Sequence, residues 1–135
     1  MRPVIMKPYY LYLLFFVIFS CQTKEEKERK ILTAEDFSAK IQSTPNAIVL
    51  DVRREEELVS GVIPNAINIV YGPEFTNGLS ALPKERPIFV YCASGIRSGK
   101  AAKILRDNGY SPVYELEGGL RPWIEKGLPL QPIQQ

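Results

Sequence analysis

The chain has no histidine and only two cysteines among its 135 residues. Without imidazole there is no Ser/His/Asp triad, no Cys–His nucleophile pair and no HExxH zinc helix. Two cysteines alone cannot complete a tetrahedral nitrogen/sulfur zinc site either. Any nucleophile in this chain must therefore be activated by something other than a histidine base. Long apolar runs are scarce as well. The longest, residues 9–19, has 11 residues, roughly half of the ~20 needed to span a bilayer as a helix. Charge of one sign is also missing. The 17 Lys and Arg face 15 Asp and Glu, and the excess lies in Arg2 and Lys7. Beyond residue 20 acids and bases are equal in number, which removes the electrostatic case for a nucleic-acid partner.

What is present begins with a leader. Arg2 and Lys7 precede the apolar run, and Lys24, Glu25 and Glu26 follow it closely. That pattern predicts a secretory signal rather than a membrane span. The run ends in Ile18-Phe19-Ser20-Cys21, which resembles the lipobox of bacterial lipoproteins. The resemblance implies cleavage before Cys21, acylation of that cysteine and anchorage of the mature chain to a membrane of the cell envelope. The alternative is an ordinary cleaved signal, for which Ile18 is a poor third residue before the cut. Gln22 does not resemble the Asp that retains many lipoproteins at the inner membrane. The expected site is thus the outer membrane facing the periplasm, with surface exposure as the other possibility.

Residues 22–30 contain no apolar side chain and mix both charge signs, which predicts a solvated tether. The expected organisation is a leader over 1–20, a lipidated cysteine and tether over 21–32, one domain over 33–130 and a tail over 131–135. Within the domain, short apolar strands alternate with helices. Thr33 caps a helix carrying Phe37 and Ile41 on one face. Strands are expected at 47–50, 66–70, 87–91 and 113–116. Short helical stretches are expected at 54–58 and 75–82, and longer ones at 98–108 and 120–126. Such alternation predicts an α/β fold, a mostly parallel central sheet with helices on both faces.

The chemistry gathers at one joint. An apolar strand leads into Cys92-Ala93-Ser94-Gly95-Ile96-Arg97, with a helix expected from Ser98. A cysteine there stands at the carboxyl end of a parallel strand, where open α/β sheets place their ligand crevices. It also faces a helix N-terminus, whose free N–H groups favour an anion. Gly95 lets the loop curl into a nest of N–H groups, and Arg97 adds a permanent cation. Each feature favours thiolate over thiol. A buried cysteine on its own is more often an inert small hydrophobe; the surrounding loop is what argues for reactivity.

Here the residues resemble the rhodanese family of sulfurtransferases. Leu50-Asp51-Val52-Arg53 with Glu55-Glu56-Glu57-Leu58 is similar to the family's first signature. Residues 61–68 resemble its Gly-His-Ile-Pro-Gly-Ala segment, Cys92 to Arg97 its active-site loop, and Glu117-Gly118-Gly119 through Trp123 its C-terminal signature. The resemblance implies a rhodanese-like domain in which Cys92 accepts a sulfane sulfur as a persulfide and passes it to a thiol or cyanide. The N–H groups of Ala93, Ser94, Gly95, Ile96, Arg97 and Ser98 would cradle the persulfide, supplemented by the Arg97 guanidinium. No metal or organic cofactor is implied, and the partners are a small sulfur donor and a thiol acceptor. A monomer is expected.

Cysteine phosphatases and arsenate reductases have one more residue between Cys and Arg, room for a tetrahedral oxyanion, so the shorter loop disfavours that chemistry. The family's usual His is Val62 here and its following Gly is Asn65. A non-turnover binding or sensing module is the reading from a different class. Asp51 and Arg53 are expected to form a structural ion pair under the loop, and Glu56 and Glu57 a solvated helical face. Gly118 and Gly119 are expected either to allow close backbone approach beside the loop or to form a plain turn, and Trp123 to be core.

Overall fold

The computed structural model describes residues 29–133. Cys21 and the leader lie outside the described residues. A five-stranded sheet, ordered β1-β5-β4-β2-β3, forms the centre, and its neighbouring strands pair in parallel. The strands are β1 (Lys30–Leu32), β2 (Ile48–Asp51), β3 (Ile67–Asn68), β4 (Ile88–Tyr91) and β5 (Val113–Leu116). β2 and β4 lie in the middle of the sheet and are buried along their whole length. Continuous Val/Ile/Leu/Phe runs suit strands covered on both faces.

Helices α1 (Ala34–Ser43) and α4 (Leu120–Glu125) cover one face, and α2 (Phe75–Leu79) and α3 (Ile96–Asp107) the other. Strand alternation divides the core accordingly. Val49, Phe89 and Tyr91 pack with Phe37, Leu120 and Trp123, whereas Ile48, Leu50, Ile88, Val90 and Cys92 pack with Phe75, Leu79, Ala101 and Leu105. Thr33 caps α1 as expected, its Oγ1 accepting from Asp36 N at 3.2 Å. Trp123 is core, 2% exposed, with Nε1 donating to Pro129 O. Among the described residues no helix is long and apolar enough to cross a membrane.

The end of the expected tether needs correction. Residues 30–32 form β1 and complete the sheet against β5, pairing Ile31 with Glu115 and Leu32 with Leu116. Arg29 is tied to Glu115 by a 2.7 Å ion pair. The folded unit thus starts before Thr33, because the outer edge of β5 needs a hydrogen-bonding partner. β3 is shorter than the expected 66–70, as befits an edge strand against β2 alone. α2 ends at Leu79 rather than 82. The helical turn expected at 54–58 is a 3-10 helix over Glu55–Ser60. α3 starts at Ile96, two residues earlier than expected, because Gly95 turns the chain with φ +90°.

Candidate active site around Cys92

Parallel register brings the site together. β4 ends at Tyr91, paired with Asp51 at the end of β2, so Cys92 and Val52 leave the sheet side by side. Cys92 itself is 0% exposed. The chain then folds back over the sulfur. Gly95 N donates to Cys92 Sγ at 3.1 Å and Ser98 N at 3.3 Å. Burial acts to push the thiol up, and it is the largest single influence. Hydrogen bonds from the Ser98 hydroxyl and from the N–H groups of Ser98, Ser94 and Gly95 together outweigh it, leaving Cys92 below the usual thiol range. Ser98 Oγ is buried and has no other hydrogen-bond partner, so its hydroxyl turns toward the sulfur.

The backbone of the next loop supports this one. Gly119 has φ +68°, and a Cβ there would lie 2.5 Å from Ala93 C and 2.6 Å from Cys92 O. Leu120 N donates to Cys92 O at 3.0 Å. A Cβ on Gly95 would stand 3.4 Å from Gly118 N. Gly119 therefore permits backbone-to-backbone contact with the cysteine loop, whereas a Cβ on Gly118, at φ +70°, would face Pro122, which fits the plain-turn alternative. Ala93 and Ser94 are exposed, and Ile96 at the loop tip is 67% exposed.

Arg97 is placed otherwise than expected. Its fork grips Glu57 rather than standing over the sulfur, with Nη1 to Oε2 at 2.7 Å and Nη2 to Oε1 at 2.8 Å. Arg97 pushes the Glu57 carboxyl down to about 2, against the opposing effect of partial burial. The Glu57 hydrogen bond in turn raises Arg97, with a smaller contribution from the charge on Cys92. Glu57 is thus not a solvated face; only Glu56 is, in an exposed pair with Arg54. The residues stand 40 apart in sequence, and nothing local announces their pairing.

The expected ion pair of Asp51 and Arg53 is present and buried, at 2.7 Å. Arg53 also donates to Asp51 through Nε and to the carbonyls of Glu57 and Gly61 and the hydroxyl of Ser60. It therefore fixes the 3-10 helix to the sheet end, which in turn places Glu57 against Arg97. Asn68 was overlooked by sequence reasoning; its amide donates to the carbonyls of Asp51 and Arg53 at 2.9 Å each.

Both departures from the family pattern are accommodated. Val62 is buried and exchanges two backbone hydrogen bonds with Gln131, an apolar packing site in place of a polar one. Asn65 has φ +64°, the left-handed conformation that Asn tolerates best after Gly. Among the described residues no three His, Cys, Asp or Glu side chains gather as a metal site.

Comparison with known proteins agrees with this geometry. The rhodanese-like domain family model matches residues 33–126. A sulfurtransferase of Allochromatium vinosum is 32% identical over 99 residues, covering 73% of this chain and 92% of that protein. A tRNA uridine(34) hydroxylase of Wolbachia pipientis is 35% identical over 97 residues, but these make up 34% of its length and 68% of this chain. A rhodanese-related protein of Thermoplasma volcanium superposes with a TM-score of 0.69 at 34% identity, over 77% of this chain and 99% of that one. A Staphylococcus aureus rhodanese-like domain protein gives 0.65 at 30%, over 76% and 98%. With the family model spanning the sheet, the cysteine loop and the glycine turn beside it, and solved rhodanese-related structures superposing on the same fold, the chain belongs to the rhodanese-like domain family.

Proposed function

We propose that the protein is a sulfurtransferase that carries a sulfane sulfur on Cys92, taken from a thiosulfate, polysulfide or persulfide donor and passed to a thiol or cyanide. The observation that carries this reading is the sulfur's position inside a ring of donors, with Gly95 and Ser98 N–H groups on Sγ and the thiol lowered. The cradle stabilises a thiolate before transfer and a persulfide anion after it. The A. vinosum relative bearing the name sulfurtransferase supports the same reading. The test is intact mass of the purified protein after treatment with a sulfane donor. A gain of one sulfur atom, removed by cyanide and absent in Cys92→Ser, is the expected result. Absence of any adduct would overturn the reading, and an adduct that neither cyanide nor thiols discharge would point to a non-turnover sensing module.

The leader carries a second part of the proposal. Cys21 is the lipid attachment site, and the protein acts as a monomer on the periplasmic face of the outer membrane. Labelled palmitate should enter the wild-type protein and not Cys21→Ala. Residence of the labelled protein in the inner-membrane fraction would refute the outer-membrane assignment.

A further inference from the structure

One buried charge takes no part in the chemistry at Cys92. Glu115, 3% exposed on β5, accepts from Arg29 Nε and Nη2 at 3.2 and 2.7 Å and from Arg106 Nη1 at 3.0 Å. Desolvating a carboxylate so fully offsets much of what its partners return, and an apolar side chain of similar volume serves such a strand as well. Stability alone therefore gives little reason for this clasp. Its place relative to the cysteine gives another.

Two elements converge on Cys92. The first turn of α3 supplies the Gly95 and Ser98 N–H groups that donate to Sγ. Gly99 comes next, and a Cβ there would lie 3.5 Å from Glu115 Oε2 and 3.6 Å from Arg29 Nη2. The clasp thus lies against the very turn that carries the sulfur's donors, while Arg106 ties the last turn of the same helix to the same carboxylate. On the other side, Leu120 N donates to Cys92 O at 3.0 Å. The turn before it is held by β1, since Glu117 N donates to Leu32 O at 2.9 Å. β1 has three residues, two of them exposed, and pairs with β5 alone, so the ion pair at its start helps to fasten it. We infer that Glu115 is a positioning residue for Cys92. By gripping Arg29 and Arg106 it fixes α3 and β1, and through them both sides of the cysteine loop. The inference rests on reading Cys92 as the reactive thiol, and Glu115 acts without touching the sulfur.

Glu115→Gln keeps the size of the side chain and removes its charge. Ultraviolet absorption of the thiolate in the full chain, with the Cys92→Ser spectrum subtracted in each background, gives the midpoint of Cys92 ionisation. Loss of a negative charge would by itself favour the thiolate and lower that midpoint. A loosened cradle raises it, so the sign separates the two. The expected result is a rise, with the thiolate fraction below the midpoint falling about threefold, as when one hydrogen bond weakens. An unmoved midpoint, whatever happens to Tm, is the mark of a merely structural residue and would overturn the proposal, as would a lowered one. The titration needs no sulfur transfer, so failure of a sulfane donor to load Cys92 would strike the proposed function and leave this role to be decided by the midpoint. Should Glu115→Gln not fold, hydrogen exchange in Arg29→Met decides instead. Faster exchange at the Ser98 and Leu120 amides, with β2 and β4 unchanged, supports the role. Unchanged exchange at both amides, or a rise shared by β2 and β4, overturns it.

Discussion

Two side chains set the chemistry at the smallest scale, Cys92 and Glu57. With a thiolate as the proposed nucleophile and the thiol lowered, sulfur loading should rise with pH and level off, with a midpoint below that of an ordinary cysteine thiol. Ser98→Ala, which deletes the hydroxyl donor, should move that midpoint upward; stopped-flow loading rates across pH check both. Glu57 acts through stability. Its carboxyl is held at about 2 in the fold against an ordinary 4.5, so as pH falls protons bind the unfolded chain first. The stabilisation is fully present above about 4.5 and is lost as pH falls toward about 2. Glu57→Gln should therefore lower Tm near neutrality, by a ΔΔG of about 1 kcal/mol, and the gap from wild type should close in acid. The same substitution releases Arg97 from its ion pair. It should raise the ratio of thiosulfate to persulfide efficiency several-fold, readable from parallel cyanide and thiol assays.

At the scale of elements, the cysteine loop depends on its neighbours for shape. Gly119→Ala would drive a methyl group into the Ala93 carbonyl, at a backbone conformation that L side chains rarely adopt. A loss of about 2–3 kcal/mol with a larger fall in loading rate is expected from denaturant titration and loading kinetics together. At the other edge of the sheet, a chain begun at Thr33 loses β1 and the Arg29 partner of buried Glu115. Its Tm should drop and the bared β5 edge should promote association, visible in thermal melts and light scattering; an unchanged Tm would return residues 30–32 to the tether. These elements differ in how far the sequence disclosed them. β2, β4 and β5 were legible because buried parallel strands are written as unbroken apolar runs, and Cys92 through Ser98 because the whole nest lies within seven consecutive residues. β1 was not, since three residues on an edge show no period. The Arg97–Glu57 pairing was hidden for another reason. A charge on a short helix looks solvated until the fold brings its partner across the sheet end.

For the molecule as a whole, charge is distributed away from the point of reaction. The loop's guanidinium is occupied by Glu57, and α3 carries Lys100, Lys103 and Arg106 farther along its length. Polysulfide or low-molecular-weight persulfides should accordingly be turned over more efficiently than thiosulfate, a dianion whose charge would meet a guanidinium already paired. Comparable or higher kcat/KM with thiosulfate in steady-state assays would refute this ordering. The depth of Cys92 has a final consequence. Its sulfur has no exposed surface and is ringed by N–H groups from its own loop. In the proposed transfer a loaded Cys92 would offer two electrophilic sulfurs, and a nucleophile choosing the inner one would release hydrosulfide and leave the cysteine trapped as a mixed disulfide. The burial of Cys92 shields that inner atom, so discharge should occur at the outer one, delivering the sulfur and regenerating the thiolate.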